Sequence, residues 1–250
     1  MRAAQLAHQR ATRWRRILIV GAAVLAVVVV SVIAVVALQQ SNQPSAVATA
    51  TSAGDPAGEM PYPPNATTAR DGIVVSDNKS VPDVGLYFDY QCSHCVAFEQ
   101  SFGGALALLG QTGEIRLVHH TRVFLDQGNQ AGLSHKAALA AACSDVVGAY
   151  IDYHSAVLEA ATSGPYTDQL LLETIPAKVG ITGSDLTAFR ACYSNQNLAR
   201  FVQAVDDAAG KAGINETPTL TVNGTAVPIS SFDGKTGEDL KGIIEDAAKR

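Results

Sequence analysis

The sequence predicts an α/β domain, a small mixed sheet with helices on both faces and an all-helical insertion, preceded by one transmembrane helix. Three observations predict it. Short segments with the two-residue alternation of strands stand at both ends of residues 70–250. Between them, from about 130 to 212, the chain reads almost wholly as helix. Ahead of them, residues 17–38 form an apolar run behind an arginine cluster.

Taken in order, residues 1–16 form a basic tail with Arg2, Arg10, Arg13, Arg15 and Arg16 and no acid. That end carries +5 against a total of −5, so the remainder carries −10, which argues against nucleic acid as a partner. Ile17–Leu38 has Ser31 as its only polar residue, and as a helix its 22 residues span roughly 33 Å, enough for a bilayer core. The arginines place the N-terminus inside and everything after Gln39 outside. A cleaved signal peptide with Ala46-Val47-Ala48 at its cleavage site is the competing reading. The run is longer than the ~7–15 residues of a signal core, and either reading exports the body. Residues 39–69, with Pro44, Pro56, Pro61, Pro63 and Pro64 among Ala, Ser and Thr, read as a flexible extracytoplasmic linker.

The domain itself begins near residue 70. A first strand at Ile73–Val75 leads through a polar turn to a second, where Val84, Leu86, Phe88 and Tyr90 alternate with other positions. Cys92-Ser93-His94-Cys95 follows. After it, Phe98, Phe102, Leu106 and Leu109 recur at helical spacing. Gly110 and Gly113 mark a turn before a strand at Glu114–Thr121. The helical block holds segments at Ser134–Ala142, Val146–Ala161, Asp168–Val179, Asp185–Tyr193 with Ser184 as N-cap, and Asn195–Ala212. Strands at Thr219–Val222 and Ala226–Ile229 meet at Asn223-Gly224, a strong hairpin turn. A terminal helix over 237–250 turns Leu240, Ile243 and Ile244 inward.

Cys92 and Cys95 stand where a strand hands over to a helix, whose unpaired N–H groups favour a thiolate at the first cysteine. Zinc needs further ligands. Cys143 and Cys192 form no second Cys-x-x-Cys, and His119-His120 has no ligand spacing to the pair. A static disulfide across two residues would constrain little of the unfolded chain. A dithiol/disulfide couple fits spacing and exported location together, with no cofactor. His94, between the cysteines, is placed to stabilise the Cys92 anion, or is only an exposed helix residue. Cys143 and Cys192, both in the helical block, are expected to pair outside the membrane. His119 and His120 point to opposite sheet faces, one packed and one solvated.

On Cys92-Ser93-His94-Cys95, the helical insertion and Thr217-Pro218 before the hairpin, the chain resembles the DsbA-like thiol:disulfide oxidoreductases of the thioredoxin superfamily, membrane-anchored. The resemblance covers roughly 70–250 and implies a thioredoxin fold. It implies an exposed Cys92 that forms mixed disulfides, a more buried Cys95, and a cis Pro218 lining a substrate groove with Thr217. It also implies a stapled helical region, here Cys143 with Cys192. The expected activity is oxidation of reduced, cysteine-containing exported proteins, with reoxidation by a DsbB-like or VKOR-like membrane partner. The same fold run as a reductase or isomerase, or a tethered binding or chaperone module, are the alternatives. Two departures stand out: Ser93-His94 replaces the Pro-His of DsbA, and Leu86 occupies the position of the family's buried acid. Asp89 is open to two readings, a nearby proton acceptor or a helix cap, and is assigned no catalytic role.

Overall fold

Five strands form the sheet: β1 (Ile73–Ser76), β2 (Asp83–Asp89), β3 (Arg116–Arg122), β4 (Thr219–Val222) and β5 (Thr225–Ala226). Their order is β1-β3-β2-β4-β5, with β2 and β3 parallel and every other pair antiparallel. This is a computed structural model, and it describes residues 60–250. The basic tail, transmembrane helix and linker expected over residues 1–16, 17–38 and up to 59 lie outside the described residues. Among the described residues no helix is long and apolar enough to cross a membrane.

The alternation in β2 places Val84, Leu86 and Phe88 in the core, with Tyr90 just past its end, each no more than 3% exposed. Register aligns Val84 with Leu117 and Val222, and Leu86 with His119 and Leu220, so these buried side chains share one face. On the opposite face Asp89, Val118, Arg122 and Thr221 are buried. Tyr87, His120 and Thr219 reach solvent there in part, and Tyr87 stacks on the His120 ring at 4.2 Å. His120 is therefore a partly buried stacking partner rather than a solvated residue, and it also bonds the Asp71 carbonyl at 2.6 Å. His119 is buried.

After the cysteines come α1 (Ser93–Phe98), a π-helical turn (Glu99–Gly103) and α2 (Gly104–Gln111). Their apolar stripe, Phe98, Phe102, Leu106 and Leu109, is buried. The insertion consists of α3 (Leu133–Asp145), α4 (Tyr150–Ala160), a π-helical turn (Leu170–Thr174) running into α5 (Ile175–Lys178), α6 (Gly183–Ser194) and α7 (Ala199–Lys211). α8 (Leu240–Ala248) ends the fold with Leu240 and Ile244 buried.

Several boundaries differ from expectation, among them the helix starts at Tyr150 instead of Val146 and at Ala199 instead of Asn195. Residues 60–69 are folded onto the domain instead of forming linker: Ala66 bridges Ile73, and Asn65 donates from backbone and side chain to the Asp145 carboxylate, each at 2.8 Å. The buried Asp145 needs those donors, which holds the segment down. Ser184 lies inside α6, whose N-cap is Thr182 in extended conformation without a side-chain cap bond. The hairpin turns through Asn223 and Gly224, both at positive φ, but its second strand stops at Ala226. Ile229 lies in a 3-10 turn and is 61% exposed.

Candidate redox site

The end of β2 delivers the cysteines. Asp89 accepts the Gln91 N–H on its carboxylate at 2.9 Å and the Cys92 N–H on its carbonyl at 3.0 Å, which bends the chain out of the sheet. Cys92 becomes the extended N-cap of α1, its carbonyl accepting from Cys95 N and Val96 N. Both thiols are free. Cys92 is partly exposed and Cys95 is 2% exposed.

A second segment, 125 residues away in sequence, completes the site: the Cys92 thiol donates to the Thr217 carbonyl at 3.3 Å. The Thr217-Pro218 peptide bond is cis. The Thr217 hydroxyl is buried and lacks another partner among the described residues, which leaves it available to the two sulfurs. The position of this loop is fixed by Arg122, which bridges the Asp206 carboxylate at 2.6 Å and also donates to the Ile214 carbonyl. Both ends of that bridge are largely buried.

The electrostatics of the two thiols diverge. Cys92 is pulled from 9.0 to about 5, first by the hydrogen bond from the Cys95 thiol, with burial opposing, and then by the Thr217 hydroxyl and the backbone N–H groups of Cys95 and His94. Donation to the Thr217 carbonyl favours the neutral thiol, but it is outnumbered by bonds that only the anion accepts. Cys95 is pushed far up, first because its proton is shared with Cys92 and then by burial. One cysteine is thus an anion at neutral pH and its neighbour a thiol. The contribution of His94 comes through its backbone N–H, while its side chain is exposed.

The model of a thioredoxin family matches residues 68–246. The chain belongs to the thioredoxin family. Among solved structures, this thioredoxin is similar to an MdbA thiol-disulfide oxidoreductase from Actinomyces oris, with a TM-score of 0.63 and 20% identity, covering 76% of this chain and 94% of that one. It is likewise similar to an MdbA thiol-disulfide oxidoreductase from Corynebacterium diphtheriae, with a TM-score of 0.60, 19% identity and the same coverage. DsbA from Mycobacterium tuberculosis follows at 0.50 and 21%, over 72% of this chain and 98% of that one. No curated protein matches the sequence.

The remaining expected residues lie around this centre. Cys143 in α3 and Cys192 in α6 are joined by a disulfide across 49 residues. Leu86 is buried, and Glu99 lines the same small cavity, its carboxylate taking the Ser155 hydroxyl at 2.7 Å and lying 3.6 Å from His154. Burial works against the Glu99 anion, yet the His154 and Ser155 contacts hold its pKa below the ordinary value.

Sequence reading gave no role to a network beside the reactive turn. Asp89 is fully buried and accepts from Ser134 Oγ at 2.5 Å and from Leu125 N at 3.3 Å. Gln91 donates to Asp126 and Ser134, each at 2.7 Å, and Asp126 caps α3 by accepting from Ser134 N and His135 N. A side chain at Gly132 would meet the Asp126 carboxylate at 2.1 Å and push it off the cap. The available signal was an aspartate at the end of a buried strand, two residues before Gln91. A cavity of about 530 Å³ opens beside this turn, lined by Gln91, Ser93, Val96, Leu133, Pro165 and Tyr166 among others.

Proposed function

We propose that this thioredoxin is an extracytoplasmic thiol:disulfide oxidase, anchored by residues 17–38, that introduces disulfides into exported proteins. The observation that carries the reading is the asymmetry of the pair: a partly exposed, stabilised Cys92 anion against a buried, protonated Cys95.

In the forward direction, a substrate thiolate attacks Cys92 Sγ of the oxidised pair. The Cys92–Cys95 bond breaks, and Cys95 departs with the electron pair. It takes up a proton at once, since its thiol is the favoured state. A second substrate thiolate then attacks the substrate sulfur of the mixed disulfide, and Cys92 departs as a thiolate that its hydrogen bonds hold. Two electrons pass to the enzyme. Of the two substrate protons, one stays on Cys95 and one goes to solvent. Stabilising the reduced pair makes the disulfide oxidising. Thr217 and Pro218 flank Cys92, where an extended substrate would be positioned. The −10 charge beyond the basic tail gives no attraction to nucleic acid. A DsbB-like or VKOR-like membrane partner would return the pair to the disulfide.

The test is a Cys95→Ala variant expressed in the membrane, which should accumulate mixed disulfides with exported proteins through Cys92. Equilibration of the wild type with glutathione fixes the direction. A potential at or below that of thioredoxin, about −270 mV, would make it a reductase or isomerase instead.

A further inference from the structure

Asp89 touches both cysteines and the helical insertion at once. Its carbonyl accepts from Cys92 N at 3.0 Å, and its backbone bonds the Cys95 sulfur. Its fully buried carboxylate accepts from Gln91 N at 2.9 Å on the reactive turn, and from Ser134 Oγ at 2.5 Å in the first turn of α3. Leu125 N donates to it at 3.3 Å. The exchange steps above make no use of this carboxylate.

We propose that Asp89 is a positioning residue whose carboxylate clamps the reactive turn to the helical insertion, so that its ionisation sets the reactivity of Cys92. All three partners act as donors to it. The ionised form satisfies them together, whereas a protonated carboxyl would turn a hydroxyl toward donors and lose at least one bond. Burial raises the carboxyl from 3.8 to about 6 against the pull of those donors, and the Asp126 charge adds to the rise. The clamp therefore loosens within an accessible pH range. The other groups facing it are accounted for. Asp126 is held by Gln91, Ser134 N and His135 N, and the His135 ring lies beside Asp126. Arg122, aligned with Asp89 on β3, is engaged by Asp206. Tyr166 lies near both Asp89 and Cys95, and burial keeps its hydroxyl neutral.

The inference rests on the thiol-exchange reading for its meaning, but its test does not. Alkylation of Cys92 by iodoacetamide is followed from about pH 4 to 9 on the reduced full-length protein in detergent. The wild type should show, beside the main titration, a step at about 6. Asp89→Asn should abolish that step. At neutral pH its rate per Cys92 thiolate should equal the value the wild type shows below the step, a change of at least about threefold. Ser134→Ala should keep the step and move it upward by about one pH unit, since a bond to the charged form is lost. His94→Ala should leave the step in place. A step unmoved in the Asp89 and Ser134 variants overturns the proposal, as does a lower melting temperature with an unchanged profile. Failure of the wild type to exchange with glutathione disulfide would sink the oxidase reading alone, leaving the alkylation profile to decide on Asp89.

Discussion

The Cys92 anion gives the reduced protein a stability that depends on pH, with a size set by the site. Its pKa falls from 9.0 to about 5 on folding. A group depressed on folding stabilises fully above its unfolded value, and that contribution is lost as pH falls through its folded value. The window is therefore about pH 9 to 5. At pH 7, about two units above the folded midpoint, the gain is about 3 kcal/mol at about 1.4 kcal/mol per unit. Solvent screening at the partly exposed sulfur lowers this toward about 2 kcal/mol. For a two-electron couple that is about 40–60 mV toward the oxidising side. The disulfide form lacks this titration. Urea unfolding of the reduced and oxidised proteins, with Cys143–Cys192 intact in both, should show the reduced form losing its advantage between about pH 9 and 5. Thiolate ultraviolet absorbance should give a midpoint near 5, and Cys95→Ala should raise it, because the Cys95 thiol is the largest stabilising partner. A midpoint near 9, or a reduced-minus-oxidised stability flat across this range, refutes the reasoning.

Two further outcomes follow from the packing. Arg122→Ala leaves Asp206 buried without its partner and frees the Ile214 carbonyl, so unfolding free energy should fall by about 3–5 kcal/mol; a loss below about 1 kcal/mol in urea titration would mean the bridge is not buried in solution. Replacing Cys143 and Cys192 together by alanine opens a loop of 49 residues and should cost about 4 kcal/mol on the chain-entropy account, read as a lower urea midpoint; an unchanged midpoint would show that the bond does not form.

Much of the fold was legible because its signals are short-range. The β2 alternation, the stripe from Phe98 to Leu109 and the Asn223-Gly224 turn are each set by neighbours within a few residues, where periodicity and backbone preference act. Boundaries were less so. Residues 60–69 have linker composition, yet Asp145, 80 residues from Asn65, holds them down. Ser184 has cap chemistry, but α6 begins a residue earlier, after Thr182.

The sequence alone determined that two cysteines would stand at a strand-to-helix junction, since strand, turn and helix are written within about twenty residues around them. The same junction pointed to Cys92 as the thiol that ionises; tertiary structure decided how far its pKa falls and what holds the anion. Thr217 reaches Cys92 across 125 residues, Ser134 reaches Asp89 across 45, and Cys143 meets Cys192 across 49. The physical reason is that a pKa depends on burial and on the donors present in three dimensions. Residue type and spacing fix neither. Asp89 shows this most clearly: in the sequence it is one acid near the end of a strand, and in the fold it is a fully buried carboxylate joining the reactive turn to the insertion.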